Sequence, residues 1–303
     1  MSDLTEYTAW EKVPDGLKTK TRLGQLGLRP AKGQQSAAVF ISYIRGKRRP
    51  NTYKLYDVTE AIAKREITPA VAAALTRARQ ASEQARTCVY CGQVASVREY
   101  REEYERGLCA RCQRRLGVAS WAQAVLQDET TLILDTETTG LEYDAEIVEL
   151  VLVNVKGETV FSSLVRPRRS IPDEVIGVHG IDNEAVAHAP IWPELHDRVS
   201  WLLAQAGRVV VYNAGFDRRL LDQTALAWGL EPGWRRAGFE CAMLNYAEYV
   251  GEPRGGRNGS DYRWHKLADA AWGFGVDVDG AHRAEADCLM TLGVIRGLAG
   301  VGE

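Results

Sequence analysis

Nothing in this chain approaches the roughly 20 consecutive apolar residues that a membrane-spanning helix requires. The hydrophobic share, 45% of 303 residues, is nevertheless ordinary for a globular protein. The opening MSDLTEYTAWEK is charged and holds no apolar stretch, so a secretory signal is excluded there and the protein is expected in the cytoplasm, without a membrane partner. Internal repeats and long low-complexity linkers are missing too. The length then suits one full catalytic domain plus a smaller module. Cysteine is sparse, with six residues. Cys241 and Cys288 stand alone and read as small buried hydrophobes.

Net charge is also nearly absent, at −2, but the balance hides a split. Residues 1–118 carry 22 Lys and Arg against 12 Asp and Glu, whereas residues 119–303 carry 16 against 28. A basic module tethered to an acidic one suggests that the first binds a polyanion and the second binds cations, although a basic excess can equally be a solvated surface.

The basic part holds two β-like stretches, Ala37–Ile44 and Thr52–Val58, joined by the turn-like GKRRPN, which predicts a small hairpin with a basic tip. An Ala-rich helix is expected from Pro69 to about Ala85, with Thr68 as its N-cap. Cys88-x-x-Cys91-Gly92 and Cys109-x-x-Cys112 follow. Two matched pairs outside a secretory context point to one structural Zn²⁺ rather than to disulfides or a reactive dithiol. Gly92 would let the first turn close, and the metal would stand in for the core that so small a module lacks. Arg45, Lys47, Arg48, Arg49 and Lys54, interleaved with Tyr43, Tyr53 and Tyr56, could grip a phosphate backbone and stack on bases; a docking surface for a protein is the competing view.

From residue 131 the pattern becomes α/β. Strands are expected at 131–135, 146–155, 159–167 and 208–213. Helices are expected at 113–127, 193–206, 216–228, 265–272 and 282–298. The expected division is a basic module over 1–118, a connecting segment over 119–130 and a catalytic domain over 131–303. The order fits a ribonuclease-H-like fold and leaves other α/β sheets open.

Asp135 and Glu137 close the first of those strands. Residues i and i+2 share a face, so both carboxylates point into one pocket, where they repel unless cations hold them. Oxygen ligands of this kind suit Mg²⁺ or Mn²⁺. Asp217 falls in the first turn of a helix, where a lone carboxylate often does no more than complement the helix dipole. His282 and Asp287 lie five apart, about 140° around a helix, so they border one cleft only if it is wide or His282 precedes the helix.

Taken in order, Asp135-x-Glu137-Thr-Thr-Gly-Leu141, Asn213-Ala-x-Phe216-Asp217 and His282-Arg-Ala-x-x-Asp287 resemble the three motifs of the DEDDh (DnaQ-like) 3′→5′ exonucleases. Val178-His179-Gly180-Ile181 and Leu267-Ala268-Asp269 are similar to the family's subsidiary positions. The resemblance covers roughly 165 residues. It implies a mixed five-stranded ribonuclease-H-like sheet flanked by helices, here preceded by a small zinc-ribbon-like N-terminal domain. It implies two Mg²⁺ or Mn²⁺ ions on Asp135, Glu137, Asp217 and Asp287, His282 as general base, and substrate contacts from Thr138, Leu141, Asn213 and Phe216. Core packing is an equal reading for Phe216, and a structural role is the better one for His179. Tyr212 stands where the family often has His, and the Arg/Gly-rich Pro253–Asp261 reads as a phosphate contact, a flap or a plain loop.

The expected activity is release of nucleoside 5′-monophosphates from nucleic acid with a free 3′ end, DNA in proofreading, repair or end trimming. Trimming of RNA 3′ ends is the alternative within enzymes, and an adaptor at a replication or repair complex is the reading from another class. With 16 residues after Asp287, a stand-alone nuclease is expected rather than a resident proofreader.

Overall fold

The computed structural model describes residues 4–43, 49–254 and 262–300, which divide into two compact units, Met1–Glu83 and Gln84–Glu303. The first unit runs β1 (Thr5–Tyr7), β2 (Leu17–Thr19), α1 (Lys20–Gln25), β3 (Leu28–Arg29), β4 (Ala38–Ser42), β5 (Asn51–Asp57) and β6 (Ile62–Ala63). It then enters α2 (Pro69–Arg86), whose Thr68 hydroxyl accepts the Val71 amide at 3.4 Å as the expected cap. β4 and β5 form the expected hairpin. β1 adds parallel to β4 and β2 antiparallel to β5, so the sheet has four strands, not two. Strands of three residues are too short for alternation to register in a sequence. Trp10 stacks on the buried Phe40 at 3.7 Å between ring centroids, closing a small core with Ala38 and Leu55.

Tyr43 and Tyr53 are exposed, but Tyr56 is buried, with the Lys20 ammonium 5.6 Å from its ring centre, and so it offers no face to a base. Arg45, Lys47 and Arg48 lie outside the described residues, as do residues 255–261 of the Arg/Gly-rich segment.

The second unit continues with α3 (Val97–Glu102), α4 (Ala110–Gln127), β7 (Leu132–Thr138), β8 (Ile147–Asn154), β9 (Thr159–Leu164), α5 (Asp173–His179), α6 (Trp192–Gln205), β10 (Val209–Val211), α7 (Ala214–Ala227), β11 (Phe239–Cys241), α8 (Ala242–Val250), α9 (Leu267–Gly273) and α10 (Ala284–Ala299). Its sheet is the expected mixed five-stranded one, in the order β11-β10-β7-β8-β9. β10 lies parallel to β7 and β11, and β8 antiparallel to β7 and β9. The fifth strand, β11, had no sequence signal.

Alternation along β7 sorts its side chains between two helical layers. Leu132 and Leu134 face Trp192 and Leu203 of α6 and Leu220 and Leu221 of α7. Ile133 faces the other layer, with Ala122 and Val125 of α4 and Val294 and Ile295 of α10. The period of two therefore sends Asp135 and Glu137 toward α10. α4 runs unbroken from Ala110 to Gln127, with Val118, Ala122 and Val125 buried in the same core as Ile133. The expected boundary at residue 118 falls inside this helix, and most of the expected connecting segment is its second half.

Candidate active site

The end of β7 and the start of α10 bring carboxylates together. Ligand oxygens of Asp135, Glu137 and Asp287 all lie within 4.8 Å of one another. Burial, then repulsion from Asp217, Asp287 and Glu137, pushes the Asp135 carboxyl well above the carboxylate range. Burial followed by the Asp287 charge raises Glu137 to about 8. Burial raises Asp287 as well. Among the described residues no ion pair neutralises any of the three. Mutually repelling, partly desolvated oxygens of this kind fit hard divalent cations, whose charge would reverse those shifts.

Asp217 sits in the first turn of α7, buried, and its Oδ1 accepts the Thr136 hydroxyl at 2.8 Å. It borders the cluster rather than joining the tight group of three. Burial raises its carboxyl to about 7 against those hydrogen bonds. His282 lies two residues before α10, which resolves the 140° difficulty. Its backbone is left-handed (φ 67°), a costly conformation for a residue with a Cβ. Its amide donates to Asp287 Oδ1 at 3.2 Å, and its side chain is exposed at the cleft.

One neighbour fixes that strained turn. Glu149, the cross-strand partner of Glu137 on β8, accepts Arg283 Nη2 at 2.6 Å, Arg283 Nε at 3.2 Å and the Ala284 amide at 3.0 Å. The pair was missed in the sequence, although a carboxylate inside the apolar EIVELVLVNV was a signal. His179 also anchors the site from behind. Its Nδ1 accepts the Ile181 amide at 3.0 Å, so Nε2 carries the proton it donates to the Thr138 carbonyl at 3.2 Å. Burial lowers its pKa and favours that neutral tautomer.

Comparison with known proteins accounts for this arrangement. The family model described as Exonuclease (RNase_T) matches residues 132–295. The chain belongs to that family, the DEDDh exonucleases. The uncharacterized exonuclease CP81 of Escherichia phage 186 is 47% identical over 191 residues, 60% of this chain and 94% of that protein. The DNA polymerase III subunit epsilon-like protein of Rhodobacter capsulatus is 37% identical over 123 residues, 38% of this chain but 17% of that protein. Among solved structures, exonuclease X in complex with 5′ overhanging duplex DNA is 26% identical, covering 57% of this chain and 92% of that one at a TM-score of 0.42.

In the exonuclease, Asn213 and Leu141 line a cleft of about 930 Å³ together with His282 and Asp287. Leu141 is 74% exposed, and its carbonyl is held by Arg219 Nη2 at 3.1 Å. The other two expected substrate residues do not line it. Thr138 is buried, donating to the Gly140 carbonyl at 2.8 Å, and Phe216 packs against the core beside Leu220. The rest of the cleft comes from Tyr212, Met243, Ala281, Met290 and the stretch Trp264–Asp269, of which the sequence singles out Tyr212 and Leu267–Asp269 but not Trp264 or Lys266.

The four cysteines also converge. Ligand sulfurs of Cys88, Cys91, Cys109 and Cys112 lie within 4.8 Å of one another, a donor set that fits zinc. Gly92 takes φ 69° where the first turn closes, as expected. Burial alone would raise the Cys88 thiol, but amide groups of Cys109, Cys91 and Tyr90 aimed at its sulfur bring it down to about 6. Burial pushes Cys109 and Cys112 up, a cost that a bound cation would offset. Cys288 is fully buried and Cys241 half-buried beside Tyr212, in keeping with their reading as small buried side chains.

Proposed function

We propose that this exonuclease removes nucleoside 5′-monophosphates from the 3′ ends of DNA, with Asp135, Glu137, Asp217 and Asp287 holding two Mg²⁺ or Mn²⁺ ions. The observation that carries the reading is the convergence of Asp135, Glu137 and Asp287 within 4.8 Å from elements about 150 residues apart in the chain. When bound, the ions would lower the pKa of the attacking water and stabilise the leaving 3′ oxygen. His282, exposed at the cleft with its backbone fixed on Asp287, accepts the proton of that water. The Glu149–Arg283 pair keeps the imidazole-bearing turn in register with β7. Leu141 and Asn213 flank the terminal nucleotide.

DNA is favoured over RNA because several curated relatives carry DNA polymerase III names. The basic residues 1–83 and the zinc-holding segment 84–118 would engage the strand or a replication or repair protein. The contact division at Glu83 supports grouping the cysteines with the nuclease. The test is chromatographic identification of the products released from matched DNA and RNA oligonucleotides under Mg²⁺. Deoxynucleoside 5′-monophosphates appearing faster than ribonucleotides support the proposal. Nucleoside 3′-monophosphates, or faster release from RNA, would overturn it.

A further inference from the structure

The cleft beside the carboxylates has a wall that extends past the family-like Leu267-Ala268-Asp269 to residues outside the motifs. Trp264 lines it and is half exposed, with the Arg254 guanidinium 4.3 Å from its ring centre. Lys266 lines the same cleft two residues on. This wall is built, not draped. The bridge between Pro253 and Tyr262 and the Arg263 amide donating to the Glu252 carbonyl at 2.8 Å bring Arg254 and Trp264 together. The Tyr212 hydroxyl, buried at the second motif, donates to the His265 carbonyl at 2.8 Å, and Tyr246 packs edge-on against the His265 ring at 5.4 Å. Tyr212 thus ties the carboxylate-bearing half of the domain to the backbone that presents Trp264.

We propose that Trp264 stacks on the base of the nucleotide preceding the one removed, with Lys266 beside the intervening phosphate, so that the 3′ end enters as a single strand for at least two nucleotides. The inference rests on the exonuclease reading of the site. At about 930 Å³ the cleft lies near the top of the roughly 300–1,000 Å³ range of small-molecule pockets and has room beyond one nucleotide. Indole faces stack on any base, and Arg254 on one face leaves the other for the ligand. The ring then takes the place of the next base in a duplex stack, which is why a paired 3′ end does not fit. Tyr212 is a positioning residue for this subsite. Its departure from the His common in the family supplies the hydroxyl that reaches the His265 carbonyl.

The test compares two substrates that share the reacting phosphate. One is a single-stranded DNA decamer; the other is the p-nitrophenyl ester of thymidine 5′-monophosphate, which has no preceding nucleotide. Trp264→Ala should raise KM for the decamer at least about five-fold more than KM for the ester, the low end of one base stack. Trp264→Phe should recover most of that difference, and Tyr212→Phe should show part of it. Trp272→Ala, an exposed indole outside the cleft, should leave the ratio unchanged. The decamer's Kd, read by fluorescence anisotropy with Ca²⁺ replacing Mg²⁺, should follow the same order without turnover. Equal losses on both substrates, or none on either, would overturn the role of Trp264. Hydrolysis of the ester that depends on Asp217 would meanwhile keep the nuclease reading intact. Absence of both ester hydrolysis and decamer binding in the unaltered protein would overturn the nuclease reading, and this inference with it.

Discussion

The chemistry of single side chains here is that of carboxylates kept together against their repulsion. Asp135, Glu137 and Asp217 all titrate above the usual range because burial and their neighbours disfavour the charged forms. A carboxyl raised in the folded state holds a proton that the unfolded chain has already released. Its stabilising share is full below the unfolded value near 4 and is lost as pH rises through the folded value. With Asp217 at about 7 and Glu137 at about 8, the metal-free protein should lose stability between about pH 4 and 8. EDTA-treated protein should melt lower at pH 8 than at pH 5.5, Asp217→Asn should narrow that gap, and Mg²⁺ should raise Tm more at the higher pH. A Tm that climbs from pH 5.5 to 8 without metal would contradict this account of the cluster. Asp135→Asn should raise the metal-free Tm by about 2–4 °C, the effect of about 1 kcal/mol in a domain of this size, while abolishing hydrolysis. Glu149→Gln loses one acceptor of a bidentate charged pair, a hydrogen bond of about 1.5–3 kcal/mol. It should lower kcat by roughly ten- to a hundred-fold with little change in bound Mn²⁺. An unaltered kcat would mean that the His282 turn holds itself.

At the scale of elements, α4 joins two functions in one rod. Cys109 caps it, Cys112 sits in its first turn, and Val118, Ala122 and Val125 pack into the nuclease core. Arg115 Nε donates to the Tyr249 carbonyl at 3.3 Å and its guanidinium lies over the Tyr249 ring at 4.5 Å, so the middle of the helix is fixed to α8. Purified protein should carry one zinc per chain by elemental analysis, and Cys88→Ser should lose it. Chelation should open residues 84–112 to limited proteolysis while the sheet keeps its far-UV signal. Stoichiometric zinc in the Cys88→Ser protein would refute the four-thiolate site. The elements that the sequence announced were those with many periodic residues, such as α4, α6, β7, β8 and α10. β11 and β1 consist of three residues, and their pairing depends on β10 and β4, which local pattern cannot show. The carboxylates that converge, Asp135, Glu137 and Asp287, stood out in the sequence because chemistry restricts such residues to a few types at fixed spacing. Trp264 did not stand out, because an indole reads as core until the backbone brings it to a cleft, and Tyr212 stood out only as a departure from the family's His. Thr138 and Phe216 do not line the cleft, Phe216 following its core-packing reading, since adjacency to a motif residue says nothing about the direction of a side chain.

For the molecule as a whole, the charge split keeps its sign at the structural division, with 15 Lys and Arg against 8 Asp and Glu in residues 1–83 and 23 against 32 in residues 84–303. The unit ending at Glu83 carries a small sheet with exposed Tyr43 and Tyr53, and the unit that follows holds both clusters whose donor sets fit metal ions. No helix among the described residues is long and apolar enough to cross a membrane. On the proposed function, the acidic half would concentrate divalent cations around a cleft that also admits a polyanion, so hydrolysis should depend steeply on metal. The most direct test of the central claim is Mg²⁺-dependent shortening of a 5′-labelled single-stranded DNA oligonucleotide, resolved on a sequencing gel beside the Asp217→Ala protein. The account predicts a ladder descending one nucleotide at a time from the 3′ end, lost with EDTA and in the variant. Internal cuts, release of the labelled 5′ nucleotide first, or an equal ladder from the Asp217→Ala protein would contradict it.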